Sequence, residues 1–316
     1  MKVVAITGGL GFLGRHMVEE LTTRGDRIVV IDAETYAADL RLLTKMGGLY
    51  LAGSFHYVKS DICTLDNLPD VDVVINFAAE THVDNSLTDP ARFLRSNVMG
   101  VQRLLDLVRG KRAYQMPTFI QISTDEVYGD YASGAATESS PLAPSSPYAA
   151  SKAAADHLIM AYGRSYGVPW RIIRPSNCYG QHQYHEKLIP KAIRHLTLGR
   201  PIPIHEDGTA TRSWLHVQDC ARAIRTVMDE GRDGEVYNIS GNTELSVRDV
   251  ATLIVQAFHG EADPAPYLAF QHQRLGLDRR YHVDDTKLRG LGWEPKGNLA
   301  ADIPVIVAKE RKLWRW

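Results

Sequence analysis

Cysteine is scarce: Cys63, Cys178 and Cys220 are the only three in 316 residues, and none belongs to a Cys-x-x-Cys pair. An odd number of scattered thiols argues against a disulfide framework and fits a reducing cytoplasm. A surplus of charge is missing too, with 36 basic against 37 acidic residues, so neither nucleic acid nor a strongly charged protein is indicated as partner. No apolar run approaches the ~20 residues of a membrane span, and the chain reads as a strand from Lys2 onward rather than as a cleavable leader. Metal ligands do not cluster either; His182 and His185 are the nearest pair, in a polar stretch without a Cys or carboxylate group to complete a site. What remains is a chain that is 44% hydrophobic, enough for one large or two ordinary domains with a full core, and a partner that is a small molecule.

Strand-like β-branched runs alternate with helical stretches through the first half, at 3–7, 28–32, 56–59, 73–77, 119–123 and 170–174. That rhythm predicts an α/β fold, a doubly wound parallel sheet with helices on both faces. After Pro175 the pattern loosens into Pro- and Gly-punctuated segments with a helix at 218–229, a strand at 235–239 and a helix at 247–258, which predicts a smaller C-terminal α/β substrate lobe. The expected division gives 1–176 and a returning segment 214–240 to the sheet, and 177–213 and 241–316 to the lobe. Ligands of such sheets bind beyond the carboxyl ends of the strands, and Gly8, Asp32, Ala78, Thr124 and Asn177 all follow directly on predicted strands.

The run Thr7-Gly8-Gly9-Leu10-Gly11-Phe12-Leu13-Gly14 leaves a strand and opens a helix. Glycine at 8, 11 and 14 allows a tight turn, close approach of backbone to a pyrophosphate and close helix packing, with the helix N-terminus facing the negative charge. The next predicted strand ends in Asp32, whose carboxylate can accept from ribose hydroxyls and would repel a 2′-phosphate, favouring NAD over NADP. Asp61 and Ile62 end the third strand, where an adenine contact and an ordinary turn are equally consistent with the residues.

Tyr148 is followed four residues later by Lys152 in an Ala-rich stretch after Pro147, so a helix would set the phenol and the ammonium on one face. A neighbouring cation lowers a phenol's pKa, and a tyrosine that starts near ~10 needs such help to act as a base at neutral pH. Ser123-Thr124-Asp125-Glu126-Val127-Tyr128-Gly129 lies upstream and adds two adjacent carboxyl groups. An acid and a base can come from such a pair if their surroundings push the pKa values apart.

With a Gly-x-x-Gly-x-x-Gly turn, a Tyr-x-x-x-Lys pair and the Ser/Thr motif, the chain resembles the extended short-chain dehydrogenases/reductases, whose NAD domain is Rossmann-type. Within them it resembles the nucleotide-sugar 4,6-dehydratases through Phe77-Ala78-Ala79-Glu80-Thr81-His82, Ser123 to Gly129, Ser146 to Lys152, Ser176-Asn177 and Glu186 to Pro190. Related epimerases usually lack the acid pair and related decarboxylases usually show Thr-Ser-Glu. The resemblance implies NAD as cofactor, with Ala78, Ala79 and Ser123 beside it, and a homodimer built on the helix 90–109 and the helix carrying Tyr148. It implies oxidation at C4 of a nucleoside diphosphate hexose with Tyr148, Lys152 and Thr124, then loss of water across C5 and C6, then hydride return to C6. Glu126 would take the C5 proton and Asp125 would protonate the leaving C6 hydroxyl.

The implied substrate contacts are His82, Asn177, Lys187, Leu188, His205, Arg212 and Arg274, the arginines on the diphosphate because a guanidinium matches phosphate geometry. A surface ion pair is the ordinary alternative for each arginine. His205, Cys178, Leu277 and Thr243 depart from the family's usual residues, which leaves the nucleotide open between dTDP-glucose and UDP-glucose. An NDP-sugar 4-epimerase or decarboxylase and a non-catalytic NAD-sensing protein are the competing readings.

Overall fold

The computed structural model describes residues 1–260, 262–271, 276 and 278–313. Arg274 and Leu277 lie outside the described residues. In chain order the strands are β1 (Val3–Thr7), β2 (Arg27–Asp32), β3 (Phe55–Lys59), β4 (Val73–Asn76), β5 (Thr118–Ile122), β6 (Trp170–Pro175), β7 (Asn177–Tyr179), β8 (Ile202–His205), β9 (Thr211–His216), β10 (Glu235–Ile239), β11 (Thr243–Ser246), β12 (Leu268–Gln271) and β13 (Arg280–Tyr281).

Seven of them form one parallel sheet in the order β10-β6-β5-β4-β1-β2-β3. The strands β1, β2 and β4 read as near-continuous apolar runs because both faces are covered, whereas the edge strand β3 is largely exposed. Along β1, Val4 and Ile6 join one hydrophobic cluster while Ala5 joins the other. The order reverses between β1 and β4, which is where the crevice of a doubly wound sheet opens. This is the expected fold, with the six predicted runs displaced by no more than a residue or two at their ends.

The second lobe is built from short strands that the sequence pattern does not announce. β9 pairs with β7, β11 and β13, and β8 pairs with β12. A third hydrophobic cluster lies there, with Ile193, Ile254 and Ile303 among its members. Leu288 and Trp293, from the segment expected in this lobe, instead join the cluster on one face of the large sheet, the helix of Leu288 packing on β10 and Trp293 Nε1 donating to Asp219 O at 3.1 Å.

The stretch 90–109 is not one uniform helix. A helix Pro90–Leu94 runs through a π-helical turn Arg95–Met99 into a helix Gly100–Arg109. Phe93, Val101, Leu104, Leu105 and Ile159 are fully buried in this chain. Leu158 packs on the same core as Val101 and Ile159, whereas Leu94 and Met99 are exposed. The sheet, not a second chain, covers most of this apolar surface.

Candidate active site

The glycine turn is held closed by its own backbone: Gly8 donates to Ile31 O at 2.8 Å and Gly11 to Gly8 O at 3.1 Å. Gly8 has φ +65°, and a Cβ there would lie 2.6 Å from Ala78 N. A Cβ on Gly14 would come 2.2 Å from Gly8 O, so β1, β4 and the helix Phe12–Arg24 meet at distances only glycine permits. That helix has neither a side-chain cap nor an acidic residue in its first turn, which leaves its N-terminal N–H groups for an anion. Asp32 is buried and accepts from Leu10 N (3.0 Å) and Glu34 N (2.8 Å). Burial raises its pKa and those two donors oppose the rise. The carboxylate therefore ties the turn to β2 as well as keeping free lone pairs for ribose hydroxyls. Asp61 caps the short turn Ile62–Thr64 through Cys63 N and pairs with Arg95 at 3.0 Å.

The helix Pro147–Tyr166 starts at Ser146, whose hydroxyl accepts from Ala149 N at 3.1 Å, with Pro147 in its first turn. Tyr148 and Lys152 are both buried on it. Lys152 Nζ donates to Ile122 O at 2.6 Å. Facing them, β5 gives way to a 3₁₀ turn Asp125–Tyr128 capped by Thr124, whose hydroxyl accepts from Glu126 N and donates to Asp125 Oδ1, both at 3.3 Å. The Thr124 hydroxyl also acts on the Tyr148 phenol, in the direction that lowers its pKa. Asn97 braces this arrangement, bonding the backbone of Glu80 at 2.8 and 3.0 Å and Ser151 on the catalytic helix at 2.9 Å.

The electrostatics separate the groups. Burial, reinforced by the Glu126 charge, pushes Asp125 up to about 7, against an opposing effect of Arg212. Burial pushes Lys152 down to about 8, with Asp156 opposing. The expectation that Lys152 lowers the Tyr148 pKa is not met in the protein alone. Burial and the Glu126 and Asp125 charges drive the phenol well above its ordinary value, opposed only by the Thr124 hydroxyl. Desolvation outweighs the nearby ammonium, so without a further positive charge Tyr148 is a proton donor.

A cleft of about 510 Å³ gathers Gly8, Gly11, Phe12, Leu13, Gly14, Asp32, Asp61, Ile62, Ala78, Ala79, Ser123, Thr124, Asp125, Glu126, Tyr148, Lys152, Asn177 and Lys187. His82, Leu188, His205 and Arg212 are not among its walls. Leu188 packs against the core of the second lobe. Arg212 is buried over the Tyr281 ring at 4.2 Å and donates to Thr211 O (2.7 Å) and Asp278 O (3.0 Å). His82 caps a short helix Val83–Thr88, and His205 ends β8. Residues not assigned from sequence also line the cleft, among them Arg92, Tyr184 and Glu186. Beside them, Tyr36 meets Tyr184 edge-on at 5.3 Å and burial, with the Glu186 charge, raises the Tyr36 pKa, while Lys187 donates to Thr81 O at 2.9 Å. Glu186 stood in a matching motif, but nothing in the sequence pairs it with Tyr36.

The walls fit a dinucleotide and a polar second ligand. The glycines leave a groove that a Cβ would fill, and Asp125 Oδ2, Ser176 Oγ and Asn177 Oδ1 are buried without a hydrogen-bond partner among the described residues. Buried polar atoms of this kind call for an outside partner. The described residues contain no group of three or more metal-ligating side chains and no helix long and apolar enough to cross a membrane.

A family model described as GDP-mannose 4,6 dehydratase matches residues 5–303. The chain belongs to the nucleotide-sugar 4,6-dehydratases, within the extended short-chain dehydrogenases/reductases. It is 41% identical to a dTDP-glucose 4,6-dehydratase of Xanthomonas campestris pv. campestris (strain B100), covering 97% of this chain and 92% of the relative. It is 40% identical to the Arabidopsis thaliana trifunctional protein RHM2, a UDP-glucose 4,6-dehydratase with two further activities, over 94% of this chain and 45% of that one. The solved structure of DesIV, a dTDP-glucose 4,6-dehydratase from Streptomyces venezuelae with NAD and TYD bound, superimposes with a TM-score of 0.92 at 36% identity, covering 99% of each chain. The matches to the Xanthomonas and Streptomyces proteins run over nearly the full length of both chains.

Proposed function

We propose that the protein is an NAD-dependent hydro-lyase that converts an NDP-hexose, dTDP-glucose foremost, to the 4-keto-6-deoxy sugar. The observation that carries this reading is the pair Asp125 and Glu126 in one cleft with Tyr148, Lys152 and the glycine turn, with Asp125 raised to about 7. A carboxyl group half protonated near neutrality is suited to donate a proton to a departing hydroxyl. The turn at Gly8, Gly11 and Gly14 would hold the pyrophosphate of NAD and Asp32 its ribose, which disfavours a 2′-phosphate. When bound, NAD supplies a hydride acceptor and a positive charge beside the phenol.

Tyr148 takes the C4 hydroxyl proton, with Thr124 orienting it and Lys152 stabilising the phenolate. Oxidation at C4 makes the C5 proton acidic. Glu126 removes that proton and Asp125 delivers one to the C6 hydroxyl, which leaves as water; the hydride taken from C4 would then return to C6 and a proton to C5, giving the 4-keto-6-deoxy sugar and the cofactor in its starting state. Asn177 and Lys187 are read as contacts to the sugar-phosphate. His82, Leu188, His205, Arg212 and Arg274 remain from the resemblance as substrate-side residues. Residues 1–176 with 214–240 are read as the NAD domain and 177–213 with 241–316 as the nucleotide-sugar lobe. A homodimer and a cytoplasmic setting complete the reading.

UDP-glucose is the second substrate reading, favoured by the identity to the Arabidopsis protein. Incubating the purified protein with dTDP-glucose and with UDP-glucose, and weighing the products, tests both. Loss of one water from either sugar supports the reading; recovery of an isomer of unchanged mass, or of a decarboxylated sugar from a uronic acid, refutes it.

A further inference from the structure

Beneath the catalytic residues lies a buried polar network that the reaction as described does not use. Asp156 is fully buried on the helix Pro147–Tyr166, one turn beyond Lys152. Its Oδ2 accepts from Ser123 Oγ and from Arg174 Nε, both at 3.0 Å. Arg174, itself buried on β6, donates through Nη1 to the Tyr128 hydroxyl at 2.7 Å, and that hydroxyl donates to Asn238 Oδ1 at 2.7 Å. The network thus joins the catalytic helix, the end of the turn carrying Asp125 and Glu126, and strands β6 and β10.

Two cations and one anion share this dry region, and the arrangement is uneven. Arg174 makes the direct ion pair, whereas Lys152 is held by a carbonyl, Ile122 O. Asp156 Oδ1 has no hydrogen-bond partner among the described residues. Around the pair stand Asp125, Glu126 and Tyr128 on the turn and Tyr148 on the same helix. Asp84, Arg92 and Arg95 lie on the helical segments packed against that helix. Among the described residues, Asp156 is the charge that bears on Lys152. An ammonium in a desolvated site loses its proton easily unless an anion lies close.

We propose that Asp156 is a positioning residue: its buried carboxylate, fixed by Ser123 and Arg174 one helical turn from Lys152, keeps that side chain cationic beneath Tyr148. The inference rests on the reading of Lys152 as the stabiliser of the phenolate. Its test is chosen to stand apart from that reading.

Lys152 borders the cleft although it is buried, so its acylation by a small reagent is slow and is followed over extended exposure at each pH. The protein as purified is labelled with trace acetic anhydride across a pH series, and acetylation of Lys152 is read by peptide mass against the other lysines. The wild type should show a midpoint near 8. Asp156→Asn should move it down by roughly one pH unit or more, as loss of a close buried countercharge does. Should that variant fail to fold because Arg174 is left unpaired, Asp156→Asn with Arg174→Gln removes both charges and should still lower the midpoint. Tyr128→Phe cuts the same network without touching a charge and should leave it in place. An unmoved midpoint in the Asp156 variants, or an equal shift in Tyr128→Phe, overturns the proposal. Because labelling needs no turnover, a failed dehydration assay and a failed Asp156 test are separate outcomes.

Discussion

The two sides of the cleft were built by different means. On the cofactor side the work is done by backbone: three glycines whose missing Cβ atoms let β1, β4 and a helix converge, and one carboxylate that caps the turn. On the substrate side it falls to side chains on short strands and loops, and several of these turn out to be engaged by the fold itself. Arg212 lends its fork to carbonyls and Leu188 to the second core. A backbone site leaves a fixed spacing in the sequence. A side-chain site depends on which neighbours reach each group first.

The strongest test of that contrast is Gly8→Val. With φ +65° and a Cβ position 2.6 Å from Ala78 N, a branched side chain must open the turn, and dinucleotide retention should be lost almost completely. Release of nucleotide on denaturing the purified variant is the measurement; wild-type content would break the comparison.

On the catalytic wall, Asp125→Asn should lower the rate about a hundredfold or more, the scale of a lost general acid. The sign of its pH dependence is fixed. Asp125 is raised to about 7, the protonated form is the useful one, and the rate should therefore fall as pH rises through that value. The variant should lack this limb of the kcat profile.

Asp32→Ala should weaken NAD by about tenfold to a hundredfold, since hydrogen bonds to a charged group contribute about 1.5–3 kcal/mol. It should also lower the melting temperature, because Leu10 N and Glu34 N lose their acceptor. Binding loss with no change in Tm would mean that the carboxylate serves the ribose alone.

The smallest effect is the most discriminating for the substrate side. Arg212→Gln should cost about 1–3 kcal/mol of stability, as the loss of buried hydrogen bonds does, and raise KM together with the fall in Tm, because the guanidinium that serves the fold is also read as a substrate-side group. A large rise in KM at unchanged Tm would mean that the carbonyl bonds are incidental and would erase the difference between the two sides.

How legible each part was follows from the same physics. Runs such as 3–7 and 28–32 could be read as strands because a parallel sheet covered on both faces favours near-continuous apolar residues. The helix with Tyr148 and Lys152 announced itself through Pro147 and its alanines. β7, β11 and β13 are too short for any periodicity, and the pairing of β8 with β12 joins segments about sixty residues apart, beyond any local signal. Glu34 and His182 take positive φ without being glycine, which no residue pattern foretells. The raised Tyr148 was hidden because a sequence shows the neighbouring lysine and not the depth of burial.

The central claim is that one site oxidises C4, eliminates across C5 and C6 and reduces C6. Substrate carrying deuterium at C4 tests it most directly. The account predicts a 4-keto-6-deoxy product with that deuterium at C6, and solvent deuterium at C5 when the reaction runs in heavy water. Deuterium returned to C4 with inverted configuration and the C6 hydroxyl intact would contradict it, and would remove the roles given to Asp125 and Glu126.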